Sequence, residues 1–378
     1  MGICYLNQQT HRQLISGQRA GVGPALLRLL LSVAAVGYSI AVRIRNSLYS
    51  KGFLKTHRAN VPVISIGNIT VGGTGKTPVV VWLCNSITQN SKLKTQNYNC
   101  AILTRGYKAI QKSKVKSQNY TDEIAILTKC CPQAKVIVNP DRVAGATEAI
   151  IKFGAKVLMM DDGFQHRRLA RDLDIVAMDA TQPFGYGKML PAGLLREPVS
   201  SLKRADAVVI TRCDQISELE LTELEEKLRA VNSDMVIARS VHTPVYAKSA
   251  NNKETSIDQL KGKKIFAFCG IGNPDAFLNT IKTLGCKLVG SRVYDDHYHY
   301  TDTCLAGICE QAAHLGAGLV LTTQKDWTKV ISQFRSQISD CQLSLPFAYL
   351  AIEIKFLARQ DKLTALIKDT LAGKISQK

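Results

Sequence analysis

The sequence lacks any regular cysteine spacing. Its 11 cysteines are scattered over 378 residues, and no two of them have the Cys-x-x-Cys spacing of a zinc or redox motif. A secreted disulfide framework also needs regularly spaced cysteines, so the pattern excludes that class of protein as well. We therefore predict reduced, mostly buried thiols in a cytosolic protein.

Acidic residues are few relative to basic ones. The 30 Asp and Glu residues face 49 Lys and Arg, which gives a formal net charge of +19. Such an excess favours an anionic partner: nucleic acid, nucleotide phosphates or an anionic membrane surface. The sequence has neither zinc-finger spacing nor a basic motif interleaved with aromatic residues, so nucleic acid is disfavoured. The 46% hydrophobic fraction is ordinary for a globular protein and argues against disorder.

A clean transmembrane segment is also missing near the N-terminus. Residues 24–48 are apolar, but the uncharged stretch between Arg28 and Arg43 has 14 residues. Such a helix would be about 21 Å long, against a hydrocarbon core of about 30 Å. The flanking basic residues suit a helix that lies in the interface of an anionic leaflet. For residues 1–50 we favour this membrane-associated helix over two alternatives, a buried helix and a spanning one.

Short apolar runs rich in Val and Ile alternate with helical segments from residue 61 onward. This alternation predicts α/β domains with parallel sheets, because strands buried on both faces are apolar throughout. We expect a P-loop domain over 51–240 and a second, smaller Rossmann-like α/β domain over 263–378. The polar segment 241–262 lacks clear periodicity and is the expected linker.

A glycine-rich segment, GNITVGGTGKT at 67–77, lies between the first strong strand and a helix. Its glycines let successive N–H groups turn toward phosphates, and the helix N-terminus adds a favourable dipole. Lys76 would contact the β- and γ-phosphates, and the Thr77 hydroxyl would bind Mg²⁺. Strict Walker A motifs have glycine where this chain has Thr70. The predicted nucleotide-binding residues are Gly72, Gly73, Thr74, Gly75, Lys76 and Thr77.

A Mg²⁺-dependent P-loop enzyme also needs an acidic strand end. The apolar strand in VLMMDDG ends at Asp161 and Asp162. One of the two carboxylates would hold Mg²⁺ through water, since this hard cation prefers oxygen ligands. The alternative is a solvated turn at the end of the strand.

Four motifs together resemble the tetraacyldisaccharide 4′-kinase family of lipid A biosynthesis. They are GNITVGGTGKTP at 67–78, TRGY at 104–107, DDGFQHRRLARDLDIVAMD at 161–179 and PFGYGKMLPAGLLREP at 183–198. The resemblance covers about residues 20–355, and the family shares the missing first glycine of Walker A. It implies ATP- and Mg²⁺-dependent phosphorylation of the 4′-hydroxyl of an anionic lipid, a tetraacylated glucosamine disaccharide 1-phosphate. It also implies two Rossmann-like domains that flank an active-site cleft, at the cytoplasmic face of the inner membrane. No sequence feature indicates an obligate protein partner.

The resemblance further implies roles for single residues. Asp122 matches the aspartate that would accept the proton of the attacking hydroxyl, although Thr121 and Ile124 replace the glycine and proline of the family motif. His297 resembles the histidine that pairs with this aspartate, and Arg142 an arginine that contacts substrate or transition-state charge. Candidates for substrate contacts are Asn68, Gln165 and His166; Arg196 and Glu197 would bind nucleotide or metal, or form a structural ion pair.

Two other classes of function are alternatives to the kinase. A P-loop GTPase or metallochaperone switch is suggested by Thr211-Arg212-Cys213-Asp214, which is faintly similar to the guanine-binding Asn-Lys-x-Asp motif. A non-catalytic membrane scaffold would be expected to lack Lys76 or the acidic pair, and both are present. The sequence therefore predicts a kinase.

Overall fold

The protein is described here from a computed structural model, which covers residues 8–89, 99–106, 122–296, 298–339 and 345–373. The chain divides into two compact units. One comprises Met1–Val241 together with Ile354–Lys378, and the other comprises His242–Glu353. Two long strands pass from one unit to the other along the chain.

Parallel strands form the sheet of the first unit. They are β1 (Val63–Gly67), β2 (Cys100–Thr104), β3 (Ala134–Val138), β4 (Val157–Asp161), β5 (Leu173–Asp179), β6 (Ala207–Thr211) and the beginning of β7 (Val236–Ser249). Their order is β3-β2-β4-β1-β5-β6-β7, with every adjacent pair parallel. In β1, β2, β4, β5 and β6 each residue is buried, as expected for strands covered on both faces.

Helices cover this sheet and extend from it. They are α1 (Gln8–Ile15), α2 (Val22–Ser50), α3 (Lys76–Gln89), α4 (Asp122–Cys130), α5 (Arg142–Phe153), α6 (Glu218–Val231) and α10 (Gln360–Leu371). Buried side chains of α10, Leu363 and Ile367, belong to the same hydrophobic cluster as Val79 and Leu83 of α3. The C-terminal helix is therefore part of the core of the first unit.

The second unit has its own sheet and core. Its elements are the end of β7, β8 (Glu254–Ser256), β9 (Lys264–Cys269), α7 (Pro274–Thr283), β10 (Lys287–Val293), α8 (Asp302–His314), β11 (Leu319–Thr323), α9 (Gln324–Ser339) and most of β12 (Phe347–Ala358). Strands β10-β9-β11-β12 are parallel, and β8 pairs antiparallel with β7. Aromatic side chains, Phe266, Phe268 and Tyr349 among them, fill the core on one face.

The predicted fold class, α/β with a mainly parallel sheet and an apolar N-terminal helix, is confirmed. The segment 241–262, for which the sequence suggests a linker, contains the end of β7, β8 and one turn of 3-10 helix. Residues 354–373 pack with the first unit, although they fall within the range 263–378 that is predicted for the second domain. Hydrophobic contacts between α10 and α3 account for this difference.

Helix α2 is long and apolar enough to cross a membrane by length and composition. Only Ala35 and Val42 are buried in it. Its exposed apolar side chains recur every three or four residues, which places them along one face of the helix. They are Val22, Leu26, Leu29, Leu30, Val33, Val36, Ile40 and Ile44.

The cysteines that the structure describes are free thiols, as the sequence predicts.

Candidate active site

The glycine-rich segment forms the connection between β1 and α3. Gly72 and Gly75 adopt positive φ angles of 125° and 82°, a backbone conformation that favours glycine and lets the loop turn tightly. Thr70 pairs with Leu195 in an isolated β-bridge, and the Val71 N–H donates to the Leu194 carbonyl at 2.7 Å. Position 70 therefore lies in extended pairing with a neighbouring segment, where the side chain of a threonine is tolerated and glycine is not required.

Lys76, the first residue of α3, meets the acidic end of β4. Its Nζ lies 2.9 Å from Oδ1 of Asp162. Arg196 contacts the same carboxylate through both terminal nitrogens, at 2.8 and 3.2 Å. Burial alone would raise the pKa of Asp162, but the two cations outweigh burial and hold that pKa far below its usual range. Asp162 is therefore ionised at neutral pH and already paired.

Asp161 has a different environment from its neighbour. Its carboxylate is buried, and Oδ2 lies 3.5 Å from the hydroxyl of Thr104 at the end of β2. Burial raises the pKa of Asp161 to about 7, and the negative charge of Glu123 adds to the rise, while Lys76 opposes it. A buried carboxylate in such a site gains from a nearby cation, which would favour its ionised form.

Asn68 connects the loop to the residues around it. Its side-chain amide donates to the Thr74 hydroxyl at 3.1 Å, and its Oδ1 accepts from Arg196 at 3.0 Å. Its main-chain carbonyl accepts from Nε2 of Gln165 at 2.8 Å. Both of these candidate substrate residues, Asn68 and Gln165, thus take part in holding the loop.

Arg142 and His166 lie near the end of β4. Arg142 is buried and donates to the carbonyls of Asn139 and Asp161, at 2.8 and 3.2 Å. Burial lowers the pKa of Arg142 to about 10, although Asp161 and Asp162 oppose this, so the guanidinium stays charged. Burial and the charge of Arg142 lower the pKa of His166 to about 4, which leaves its imidazole neutral at pH 7.

The structure describes one residue of the predicted proton-accepting pair, Asp122, but not the other, His297. Asp122 is the first residue of α4. The charge of the next residue, Glu123, acts on Asp161, so the beginning of α4 lies near the acidic end of β4. His297 lies outside the described residues.

Glu197 binds a helix and a neighbouring arginine. Its fully buried carboxylate accepts from Asn46 of α2 at 2.8 Å and from Arg204 at 3.0 Å, and Arg45 lies 3.4 Å away. Tyr38 of the same helix donates to the Arg196 carbonyl at 3.0 Å. Of the alternatives left open by the sequence, these contacts favour the structural ion pair for Glu197.

Two contacts at the ends of β5 and β6 are not predictable from the motifs. The Thr211 hydroxyl donates to the Thr74 carbonyl at 3.0 Å, and Arg212 forms a buried ion pair with Asp179 at 2.5 Å. The signal in the sequence was the position of these polar residues directly at the ends of buried strands, where parallel strands deliver side chains to the same edge of a sheet.

Comparisons with known proteins point to one family. Residues 27–372 match the family model described as tetraacyldisaccharide-1-P 4′-kinase. The tetraacyldisaccharide 4′-kinase of Halothermothrix orenii is 30% identical over 362 residues, which cover 90% of this chain and 92% of that protein. The enzyme of the same name from Anaeromyxobacter sp. (strain Fw109-5) is 38% identical over 322 residues, covering 82% of this chain and 84% of that one.

Among solved structures, the chain resembles LpxK from Aquifex aeolicus in complex with ATP. The TM-score is 0.64 at 29% identity, and the match covers 91% of this chain and 99% of that one. The family match spans well over half of the sequence, and the predicted resemblance is confirmed. This chain belongs to the tetraacyldisaccharide-1-phosphate 4′-kinase family.

Proposed function

We propose that this protein transfers the γ-phosphate of ATP to the 4′-hydroxyl of tetraacyldisaccharide 1-phosphate, a step of lipid A biosynthesis. The observation that carries the proposal is the meeting of Lys76 with Asp162, 2.9 Å apart, beside Asp161. It brings the P-loop lysine and the acidic strand end to one edge of the sheet, as phosphoryl transfer from a nucleotide requires. Family membership supplies the acceptor, and the ATP-bound relative supports the donor.

The test is transfer of labelled γ-phosphate from ATP–Mg²⁺ to tetraacyldisaccharide 1-phosphate in detergent micelles. Lys76→Ala is expected to abolish product, because alanine has neither the length nor the charge with which the lysine would contact the β- and γ-phosphates. Its folded state is checked by thermal unfolding. ATP hydrolysis without transfer to the lipid would leave the P-loop assignment standing and remove the proposed acceptor.

The oxygen donors in the site suit Mg²⁺. The described residues contain no cluster of three or more His, Cys, Asp or Glu side chains that could hold a metal ion. Mg²⁺ usually needs only one or two carboxylates together with substrate phosphates and water, so Asp161 and the Thr77 hydroxyl form a suitable set. Since Lys76 and Arg196 already pair with Asp162, we assign Asp161 as the closer ligand. When bound, Mg²⁺ would neutralise charge that develops on the phosphates.

The attacking hydroxyl needs a proton acceptor, and we assign Asp122. Asp122 is the first residue of α4, and the charge of the adjacent Glu123 acts on Asp161. This proximity of the start of α4 to the acidic end of β4 supports the assignment. Arg142, charged and buried against the carbonyl of Asp161, would stabilise negative charge on the transferred phosphoryl group. His297 as the partner of Asp122 stays a prediction from the resemblance.

The site works at a membrane surface, we further propose, with α2 as the contact. From Tyr38 onward the helix is tied to the first unit through Arg196 and Glu197. The part before Tyr38, 22–37, in which Ala35 alone is buried, would be about 24 Å long, which is short of the hydrocarbon core at about 30 Å. Its exposed apolar face therefore favours a helix lying in the interface. Because ATP is the donor, we assign the membrane contact of α2 to the cytoplasmic face of the inner membrane. We propose no obligate protein partner.

A further inference from the structure

The segment Thr211–Asp214 is faintly similar to a guanine-binding motif, but in the structure its first residue contacts the phosphate-binding loop. Thr211 ends β6 and is completely buried, and its hydroxyl donates to the main-chain carbonyl of Thr74 at 3.0 Å. The hydroxyl oxygen is also 3.3 Å from the Met178 carbonyl. A hydroxyl has one proton to donate, so the shorter contact is the stronger restraint. It joins β6 directly to the phosphate-binding loop.

This contact fixes the direction of an amide group in that loop. A peptide unit is planar and trans, so the Thr74 carbonyl and the Gly75 N–H point in opposite directions. Gly75 has a φ of 82° and no side chain, so the wide conformational range of glycine does not by itself fix this peptide unit. With its carbonyl held toward β6, the unit directs the Gly75 N–H away from β6, immediately before Lys76.

Thr74 is held from a second direction as well. Its side-chain hydroxyl accepts from the Asn68 amide at 3.1 Å, and Asn68 accepts in turn from Arg196. The main-chain carbonyl and the side chain of one loop residue are thus both fixed by buried partners. Backbone N–H groups that are oriented before the ligand arrives bind phosphates without a cost of reorganisation.

The end of β6 is itself tied to the end of β5. Arg212 adopts a left-handed conformation, with φ 57° and ψ 37°, and its guanidinium forms a buried ion pair with Asp179. Asp179 Oδ1 also accepts from the main chain and hydroxyl of Thr181, and the Ala180 N–H donates to the Thr211 carbonyl at 3.0 Å. Because the ends of β5 and β6 are tied together, the Thr211 hydroxyl has a fixed position from which to hold the loop.

We propose that Thr211 is a positioning residue for ATP: it orients the Thr74–Gly75 peptide unit so that the loop is ready to receive phosphates. The inference rests on the proposed function only in taking ATP as the nucleotide. Thr211 acts through the loop and does not itself contact the nucleotide. The ion pair of Arg212 with Asp179 holds Thr211 in place.

The test compares three variants by direct binding of ATP–Mg²⁺ in calorimetry and by the KM for ATP and kcat. Thr211→Val has almost the same shape but no proton to donate, and we expect the dissociation constant and KM for ATP to rise about tenfold, within the range for a lost buried hydrogen bond. Thr211→Ser keeps the hydroxyl and should stay within about threefold of the parent. Ser240→Ala is the matched control, because Ser240 is buried and its hydroxyl donates at 2.9 Å to the carbonyl of Ile210, the residue before Thr211.

The proposal is overturned if Thr211→Val binds ATP as tightly as the parent, or if Ser240→Ala weakens binding as much. Thermal midpoints of the variants separate general loss of stability from loss of affinity. Should Thr211→Val not fold, Thr211→Ala compared with Thr211→Ser gives the same decision. ATP binding needs no lipid. A selective loss of ATP affinity in Thr211→Val would therefore support the proposal even if neither the parent nor any variant phosphorylated the lipid disaccharide.

Discussion

Replacing Glu197 by alanine should destabilise the first unit without weakening ATP binding. The carboxylate is fully buried and pairs with Arg204 at 3.0 Å and with Asn46 at 2.8 Å. Removing one partner of a buried ion pair costs about 3–5 kcal/mol. Arg204 and Arg45 are 22% and 39% exposed, so water compensates part of the loss, and we expect about 2–4 kcal/mol. At roughly 2 °C per kcal/mol for a unit of this size, the midpoint should fall by about 4–8 °C.

The assay uses the two tryptophans of the chain, one in each unit. Trp82 packs against Phe356 in the core of the first unit, and Trp327 lies in the core of the second. In a Trp327→Phe background, fluorescence therefore follows the first unit alone. Glu148→Ala is the matched control, since its pair with Lys152 on α5 is solvent-exposed and should contribute under about 0.5 kcal/mol.

Two results would refute this reasoning. An unchanged midpoint for Glu197→Ala would mean that the contacts with Asn46 and Arg204 do not stabilise the unit. A normal midpoint with a large loss of ATP or Mg²⁺ affinity would favour the other alternative, in which Glu197 binds nucleotide or metal. The experiment thus decides between the two roles that the sequence leaves open.

Three more outcomes are expected. Asp122→Asn should lower kcat by about 10²-fold or more in the phosphate-transfer assay, the scale of general-base effects, and an unaltered kcat would show that the base lies elsewhere. Leu29→Glu with Val33→Glu, on the exposed face of α2, should reduce co-sedimentation with anionic phospholipid vesicles at least tenfold, whereas Leu219→Glu, equally exposed on α6, should not; equal losses would contradict the role of α2. Burial and Arg142 lower the pKa of His166 to about 4, so the native state binds fewer protons than the unfolded chain between about pH 4 and 6.5, and stability falls as the pH falls through that range. His166→Gln should make that fall shallower in urea titrations at a series of pH values, and an identical slope would argue against the shift.

Most of the fold of the first unit follows from local sequence. Strands such as β1 and β4 are short apolar runs bounded by glycine or aspartate, and their complete burial is what makes the runs continuous. Strand β7 was not predicted beyond residue 240, because its side chains there are only partly buried and mix polar with apolar residues. The return of α10 to the first unit depends on contacts with α3, whose Val79 lies 284 positions before Leu363 in the chain (363 − 79 = 284), and no local pattern encodes them.

The candidate site, like the fold, is only partly predictable from local sequence. Lys76 and the pair of aspartates were predictable, since each lies in a motif whose spacing carries its chemistry. The contact of Arg196 with Asp162 joins segments 34 residues apart, and that of Thr211 with Thr74 joins segments 137 apart. Both depend on which strand ends become neighbours in the sheet, and strand order is a property of the whole topology.

The two adjacent aspartates differ because the backbone changes direction between them. Asp161 ends β4 in the extended conformation, and its carboxylate lies in the interior near Thr104. Asp162 has a φ of 56°, which aspartate tolerates better than most residues, and its carboxylate faces Lys76 and Arg196. Arg196 holds both oxygens of Asp162, so this carboxylate keeps a partner when Lys76 is replaced by alanine. The fold should therefore survive that substitution, and a loss of phosphate transfer in Lys76→Ala will report on the lysine itself.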